Sequence, residues 1–212
     1  MTRFGFMALG LAAGGAVRGV AQTQLAVAEY TRYELLDPGT AQFKIRYDVT
    51  AATPGARYFF NPIRKGSVAT DESVLDRATS LPLPFEVVTG TAARAQGFGA
   101  ADAETDYIRV TLPRPVPTNG EIRILIIKTY RDPKSYYAAG DTIVFARSLG
   151  IKRNAVVLPA GYELIGVNVP SQVLTEPDGR TLISFINAGS DRFALAERPI
   201  SGVSRWSSSW IN

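Results

Sequence analysis

Residues 42–50 alternate without a break. Phe43, Ile45, Tyr47 and Val49 fall on one side, and Gln42, Lys44, Arg46, Asp48 and Thr50 on the other. A period of two belongs to a β-strand, and one apolar face against one polar face puts that strand between a core and water. A helix would bring Phe43 and Tyr47 together but send Ile45 to the opposite side. The period returns at 107–112, with Ile108, Val110 and Leu112 inward and Tyr107, Arg109 and Thr111 outward. Pro113, Pro115 and Pro117 end this strand, because proline donates nothing to a ladder. Asn119-Gly120 marks a turn. Ile122-Arg123-Ile124-Leu125-Ile126-Ile127 is apolar on both faces and reads as a central strand running to Tyr130.

Shorter strands are expected at 56–60, 73–76, 85–88, 142–147, 154–158, 163–169, 181–186 and 192–197. Pro177-Asp178-Gly179 and Asn187-Ala188-Gly189 supply turn chemistry between the last of them. No amphipathic helix of about ten residues competes with them, and no internal repeat is present. The pattern predicts an all-β fold, an antiparallel, immunoglobulin-like β-sandwich. Residues 91–104, rich in Ala and Gly, are expected to be a mobile loop.

The sandwich is assigned to 22–200. Residues 1–21 read as a secretory signal peptide: Arg3 is the positive start, 4–17 is apolar or Gly, and Gly19-Val20-Ala21 offers small residues for cleavage before Gln22. Ala26-Val27-Ala28 is a second cleavage candidate, which would leave Glu29 first. The apolar stretch is shorter than the ~20 residues of a spanning helix. Removing it takes away Arg3 and Arg18 and no acid, so the formal charge falls from +4 to +2. No polybasic run exceeds Arg64-Lys65 or Lys152-Arg153, so no nucleic-acid footprint is expected. No transmembrane segment is expected after cleavage. Residues 201–212 form a Ser-rich tail carrying Trp206 and Trp210.

The 212 residues include no His and no Cys. That excludes a Ser-His-Asp triad, a thiol nucleophile, disulfides and His- or Cys-ligated zinc. No Ser-x-x-Lys spacing replaces them; Ser148 and Lys152 are four apart. Neither a catalytic residue nor a cofactor is assigned. Asp102, Glu104 and Asp106 alternate, so in an extended segment they would project to one side as a weak calcium candidate. With Asp71, Glu72, Asp76 and Glu86 they also form the acidic stock from which a glycosidase could draw a carboxylate pair. Arg64 and Lys65, in the turn after Tyr58-Phe59-Phe60, could face an anionic ligand. Arg131, Tyr136 and Tyr137 lie in a second polar segment that could stack on a sugar or meet a protein. Trp206 and Trp210 would share a helix face toward a partner, or anchor the tail to the sandwich.

The segment Ala160-Gly161-Tyr162-Glu163-Leu164-Ile165-Gly166-Val167-Asn168-Val169-Pro170, followed by Asp178-Gly179-Arg180-Thr181-Leu182-Ile183-Ser184-Phe185, is a strand–turn–strand unit. It resembles the closing strands of the N-terminal β-sandwich domain of M1-type aminopeptidases. Residues 43–49 resemble that domain's early strand, and Asn119-Gly120-Glu121-Ile122-Arg123-Ile124 its Gly-Glu-led central strand. In the family the chemistry belongs to a following helical domain with a His-Glu-x-x-His zinc helix and a Gly-x-Met-x-Asn loop. A chain without His has no counterpart of that helix. The resemblance therefore implies a stand-alone sandwich, and no catalytic residue carries over.

The expectation is a secreted or periplasmic, non-enzymatic sandwich that binds a protein or ligand partner in an accessory or envelope role. The alternatives are a carbohydrate-binding module using Tyr136, Tyr137 and the Trp206/Trp210 pair, and a carboxylate-pair glycoside hydrolase.

Overall fold

The computed structural model describes residues 26–188 and 192–200. The expected signal peptide, 1–21, and the tail with Trp206 and Trp210 lie outside the described residues. The strands run in chain order as β1 (Ala26–Leu35), β2 (Gln42–Ala51), β3 (Tyr58–Pro62), β4 (Val68–Asp76), β5 (Phe85–Thr89), β6 (Asp106–Thr111), β7 (Ile122–Arg131), β8 (Tyr136–Ala139), β9 (Thr142–Ser148), β10 (Arg153–Val157), β11 (Tyr162–Val167), β12 (Ser171–Thr175), β13 (Thr181–Ile186) and β14 (Arg192–Pro199). One short helix, α1 (Gly90–Ala95), follows β5. The fold is all-β, and no helix among the described residues is long and apolar enough to cross a membrane.

Three sheets share the strands. The large one has the order β12-β13-β10-β1-β2-β7-β4, and two smaller ones have the orders β11-β14-β9-β8 and β3-β6-β5. β7 is central as its apolar faces predict: it pairs β2 from Gln42↔Arg131 to Ala51↔Ile122 and β4 on its other side. The inward residues Phe43, Ile45, Tyr47 and Val49 of β2 are all buried. With Ile124 and Ile126 they form one contiguous core against Phe145 and Leu195 of the four-stranded sheet and Phe59 and Ile108 of the three-stranded sheet. Both small sheets thus pack on one face of the large one, which makes the sandwich.

The sequence expectations need correction at several points. β1 and β12 are strands where none was assigned, and β1 pairs β10 in parallel, from Tyr30↔Arg153 to Glu34↔Val157, within otherwise antiparallel sheets. Tyr107 is buried rather than outward, because the outer face of the three-stranded sheet has its own small core of Phe60, Ala93, Ala101 and Tyr107. That core is closed by the segment expected to be a mobile loop. Thr89 caps α1 by accepting the Ala92 N–H at 3.2 Å, and Phe98 stacks on Phe60 at 5.3 Å. Gly90 is needed there: a Cβ would fall 1.8 Å from the Asp102 carbonyl oxygen. Arg131–Tyr137 is not one long loop either, since Tyr136 opens β8 and Gly140 (φ 63°) turns the chain into β9.

Candidate functional site

The inward register of β7 runs Ile122, Ile124, Ile126, Lys128, Tyr130. That of β9 runs Ile143, Phe145, Arg147. Each strand therefore carries one cation into the space between the sheets, where its period calls for an apolar residue. Lys128 is 4% exposed and Arg147 6%. They meet at one end of the sandwich around a cavity of 130 Å³.

Lys128 crosses from the large sheet to the three-stranded one. Its Nζ donates to Asn61 Oδ1 at 2.6 Å and lies 5.0 Å from the Tyr130 ring centre. Arg147 crosses the other way. Its guanidinium carbon lies 5.0 Å from the Phe43 ring centre, 5.6 Å from Tyr33 and 5.7 Å from Tyr130. The Tyr130 ring is thus shared by both cations. Arg64, from the loop after β3, also lines the cavity. Its backbone N–H donates to the Tyr130 hydroxyl at 3.2 Å, and its Nη1 donates to the Ser148 carbonyl at 3.2 Å.

No acid lines this cavity. Among the described residues neither Lys128 nor Arg147 makes an ion pair. Arg147 Nε and Nη1, together with Thr31 Oγ1 on the same wall, have no hydrogen-bond partner. Burial, with the neighbouring Arg147 charge, lowers the Lys128 pKa to about 8, against a weak opposing pull from Glu72. Burial also lowers the Arg147 pKa. A guanidinium keeps its proton even so, so its charge stays in the core. Ring faces return about 0.5–1 kcal/mol each, whereas a buried ion costs several. The arrangement leaves two buried cations without an ion-pair partner among the described residues.

A second buried ionisable group sits further along the same small sheet. Glu197 on β14 points into the core and is 0% exposed. Burial raises its pKa to about 8. The Tyr136 hydroxyl lies 3.2 Å from Glu197 Oε1 and 2.9 Å from the Leu36 carbonyl oxygen. The Tyr136 hydroxyl has one proton for these two acceptors, Glu197 Oε1 and the Leu36 carbonyl, and Glu197 Oε2 is buried without a partner.

Of the sequence-derived site residues, Arg64 alone reaches the cavity. Lys65 pairs instead with Asp102 at 3.5 Å on the surface. Arg131 ends β7 with its side chain exposed. Tyr136 is 0% exposed and offers no face to a sugar, because the strand alternation turns it inward; Tyr137 beside it is 38% exposed. Trp206 and Trp210 lie outside the described residues. The calcium candidate fails on geometry. Asp102 precedes a turn rather than lying in an extended run, so its oxygens take the Glu104 N–H and the Thr105 hydroxyl. Those bonds hold its carboxyl below the usual range. Among the described residues no group of three His, Cys, Asp or Glu could hold a metal. A carboxylate pair would have its place where Asp76 and Glu121 line one 460 Å³ cleft; three arginines share that cleft and Asp76 is tied to the Ala78 N–H at 2.8 Å.

Lys128 and Arg147 were missed by the sequence reading. The signal that finds them is a charge at an inward position of an alternating strand.

No protein-family model matches the chain, and no curated protein does. Solved structures of M1 zinc metallopeptidases, the family whose sandwich domain the sequence resembles, do match. A mutant of the enzyme from Deinococcus radiodurans bound to a Tyr-Ser-Ala substrate is 11% identical with a TM-score of 0.48, over 81% of this chain and 41% of that one. A two-domain M1 metallopeptidase mutant bound to L-tryptophan is 12% identical with a TM-score of 0.48, over 86% of this chain and 43% of that one. The chain thus spans about two-fifths of the length of these metallopeptidases.

Proposed function

We propose that this chain is a secreted or periplasmic protein without catalytic activity, which binds a ligand or partner through the cationic cavity between its sheets. The observation that carries this reading is the wall itself: two buried cations at one cavity whose lining includes no acid, with three buried, unpartnered polar atoms in its residues Arg147 and Thr31. Such a wall retains a ligand but has little with which to transform one. His and Cys are absent. Lys128, the wall group that titrates nearest neutrality, gives its hydrogen bond to Asn61 rather than to the Thr31 hydroxyl. Arg3, the apolar run after it and Gly19-Val20-Ala21 support export.

The carbohydrate alternative loses one of its stacking rings with Tyr136 buried, and Trp206 and Trp210 lie outside the described residues. The test is a thermal-shift panel on the purified exported protein, with small anions, neutral sugars and peptides, alongside Lys128→Met. Stabilisation of the native protein that Lys128→Met abolishes supports the reading. A hydrolase activity removed by one Asp→Ala or Glu→Ala change overturns it. So does recovery of the whole protein, uncleaved, from the cytoplasm.

A further inference from the structure

We infer that the cavity between Lys128, Arg147 and Arg64 is a site for a tetrahedral oxyanion carrying two negative charges, either free or as the phosphoryl group of a small molecule. This inference rests on the binding reading above and adds the class of ligand.

Charge comes first. Lys128 and Arg147 bring two positive charges into the core with no acid on the cavity lining, Glu72 and Asp132 acting on them only from farther off, and the more exposed Arg64 adds a third at the rim. A monoanion would leave one core charge uncompensated, whereas a dianion balances both. Hydrogen bonding comes second. Arg147 Nε and Nη1 and Thr31 Oγ1 lack partners, and Lys128 uses one of its three protons on Asn61. These are donors from three different strands on two facing sheets, which suits an acceptor with oxygens in several directions better than a flat carboxylate. Size comes third. A cavity of about 150 Å³ admits benzene, with six heavy atoms. At 130 Å³ this one, open past Arg64, takes a whole phosphate or sulfate but not a whole pyranose with its hydroxyls. A phosphomonoester would seat its phosphoryl group and leave the remainder outside, past Arg64.

The experiment is calorimetric titration of the full exported protein at pH 7 with inorganic phosphate, sulfate, glycerol phosphate, acetate and glucose, in a chloride-free buffer of fixed ionic strength. Arg147→Met and Lys128→Met are run beside it, and the melting temperature of each is read without ligand. The expected result is saturable one-to-one binding of phosphate or sulfate, weakened about tenfold or more in either variant. Lys128→Met should also melt higher than the native protein when no anion is present, which shows that the variant folds and that the charge was uncompensated. Glycerol phosphate binding more tightly than phosphate assigns the site to a phosphomonoester; the reverse order assigns it to the free ion. Acetate binding where phosphate and sulfate do not would overturn the dianion and leave the binding reading standing. No response to any anion, as water alone in the cavity would give, overturns the oxyanion site. Glucose binding unaffected by either variant overturns the site and the reading of the cavity together.

Discussion

The small sheet of β9 and β14 buries one ionisable group near each end, and the two ends treat it differently. Glu197 stands opposite Ile143, and Arg147 opposite Phe193, so four residues, roughly 13 Å of strand, separate them. At the acidic end the problem is solved internally. A carboxyl can take up a proton and so shed its charge, with the Tyr136 hydroxyl beside Oε1, although Oε2 is buried without a partner. At the basic end no such escape exists, since a guanidinium does not deprotonate. Arg147 is left with rings around it and two N–H atoms without acceptors. A buried acid that can neutralise itself is a structural element. A buried base that cannot do so is waiting for a counter-charge.

The sharpest way to separate the ends is by pH. Glu197 has a folded pKa of about 8 against 4.5 unfolded. The native state therefore holds a proton that the unfolded chain has lost, and stability falls as pH rises from about 4.5 to about 8. At about 1.36 kcal/mol per pH unit the loss reaches roughly 5 kcal/mol above pH 8. Glu197→Gln should flatten that slope, gaining on the native protein at pH 9 and not at pH 4, in urea melts across the range. A slope that survives the change would place the titration elsewhere.

Lys128 has the opposite sign. Its folded pKa of about 8 lies below the ordinary 10.5, so the native state sheds a proton that the unfolded chain keeps, and stability returns as pH rises from about 8 to about 10.5. Burial first and the Arg147 charge second lower that value, and Glu72 opposes them. Lys128→Met should gain about 3 kcal/mol at pH 7 and little at pH 11. Together the two groups place a stability minimum of the native protein near pH 8. A saturating oxyanion should raise stability throughout the range below pH 8 without changing the slope there, and flatten the rise above pH 8.

Tyr136→Phe probes the internal solution by itself. It removes the donor to Leu36 and the partner of Glu197, at a cost of about 1–3 kcal/mol at pH 5. The Tyr136 bond also lowers the Glu197 pKa, so its loss should move the acidic transition to higher pH. Anion binding at the other end should not change. If it does, the two ends are coupled through Phe145, whose ring contacts both Tyr136 and Tyr33.

The sequence was most legible where one period ran undisturbed. β2 and β7 sit where alternation and two-faced apolarity put them, and β13 spans the expected 181–186. β1 was hidden because a register shift between Val27 and Tyr30, with Ala28 at φ 51°, breaks its alternation. β8 was hidden because four residues are too few to show a period beside the charges of 131–134. The mobile-loop expectation for 91–104 failed because small residues were read as flexibility. Ala93 and Ala101 are small because they lie under Phe60 and Tyr107. At the site, Arg64 was found as a cation in a turn. Lys128 and Arg147 were passed over because each ends an apolar run, where a charge reads as the strand leaving the core. Their partners come from other sheets, and pairings between sheets do not follow from a single strand's pattern.

Thr31→Val is the smallest change and tests the finest part of the comparison. The Thr31 hydroxyl is 2% exposed, lines the cavity and has no partner, while the side chain of Val has the same shape without the hydroxyl. If that hydroxyl is held ready for an anion, removing it relieves an unmet polar group. The anion-free protein should then gain about 1 kcal/mol. The same change deletes one neutral hydrogen bond to the bound ion, so affinity should fall by about fivefold, far less than for Arg147→Met. Stability and affinity must move in opposite directions. A loss of both would mean that Thr31 serves the fold as Tyr136 does, and the basic end would then be as internally complete as the acidic one.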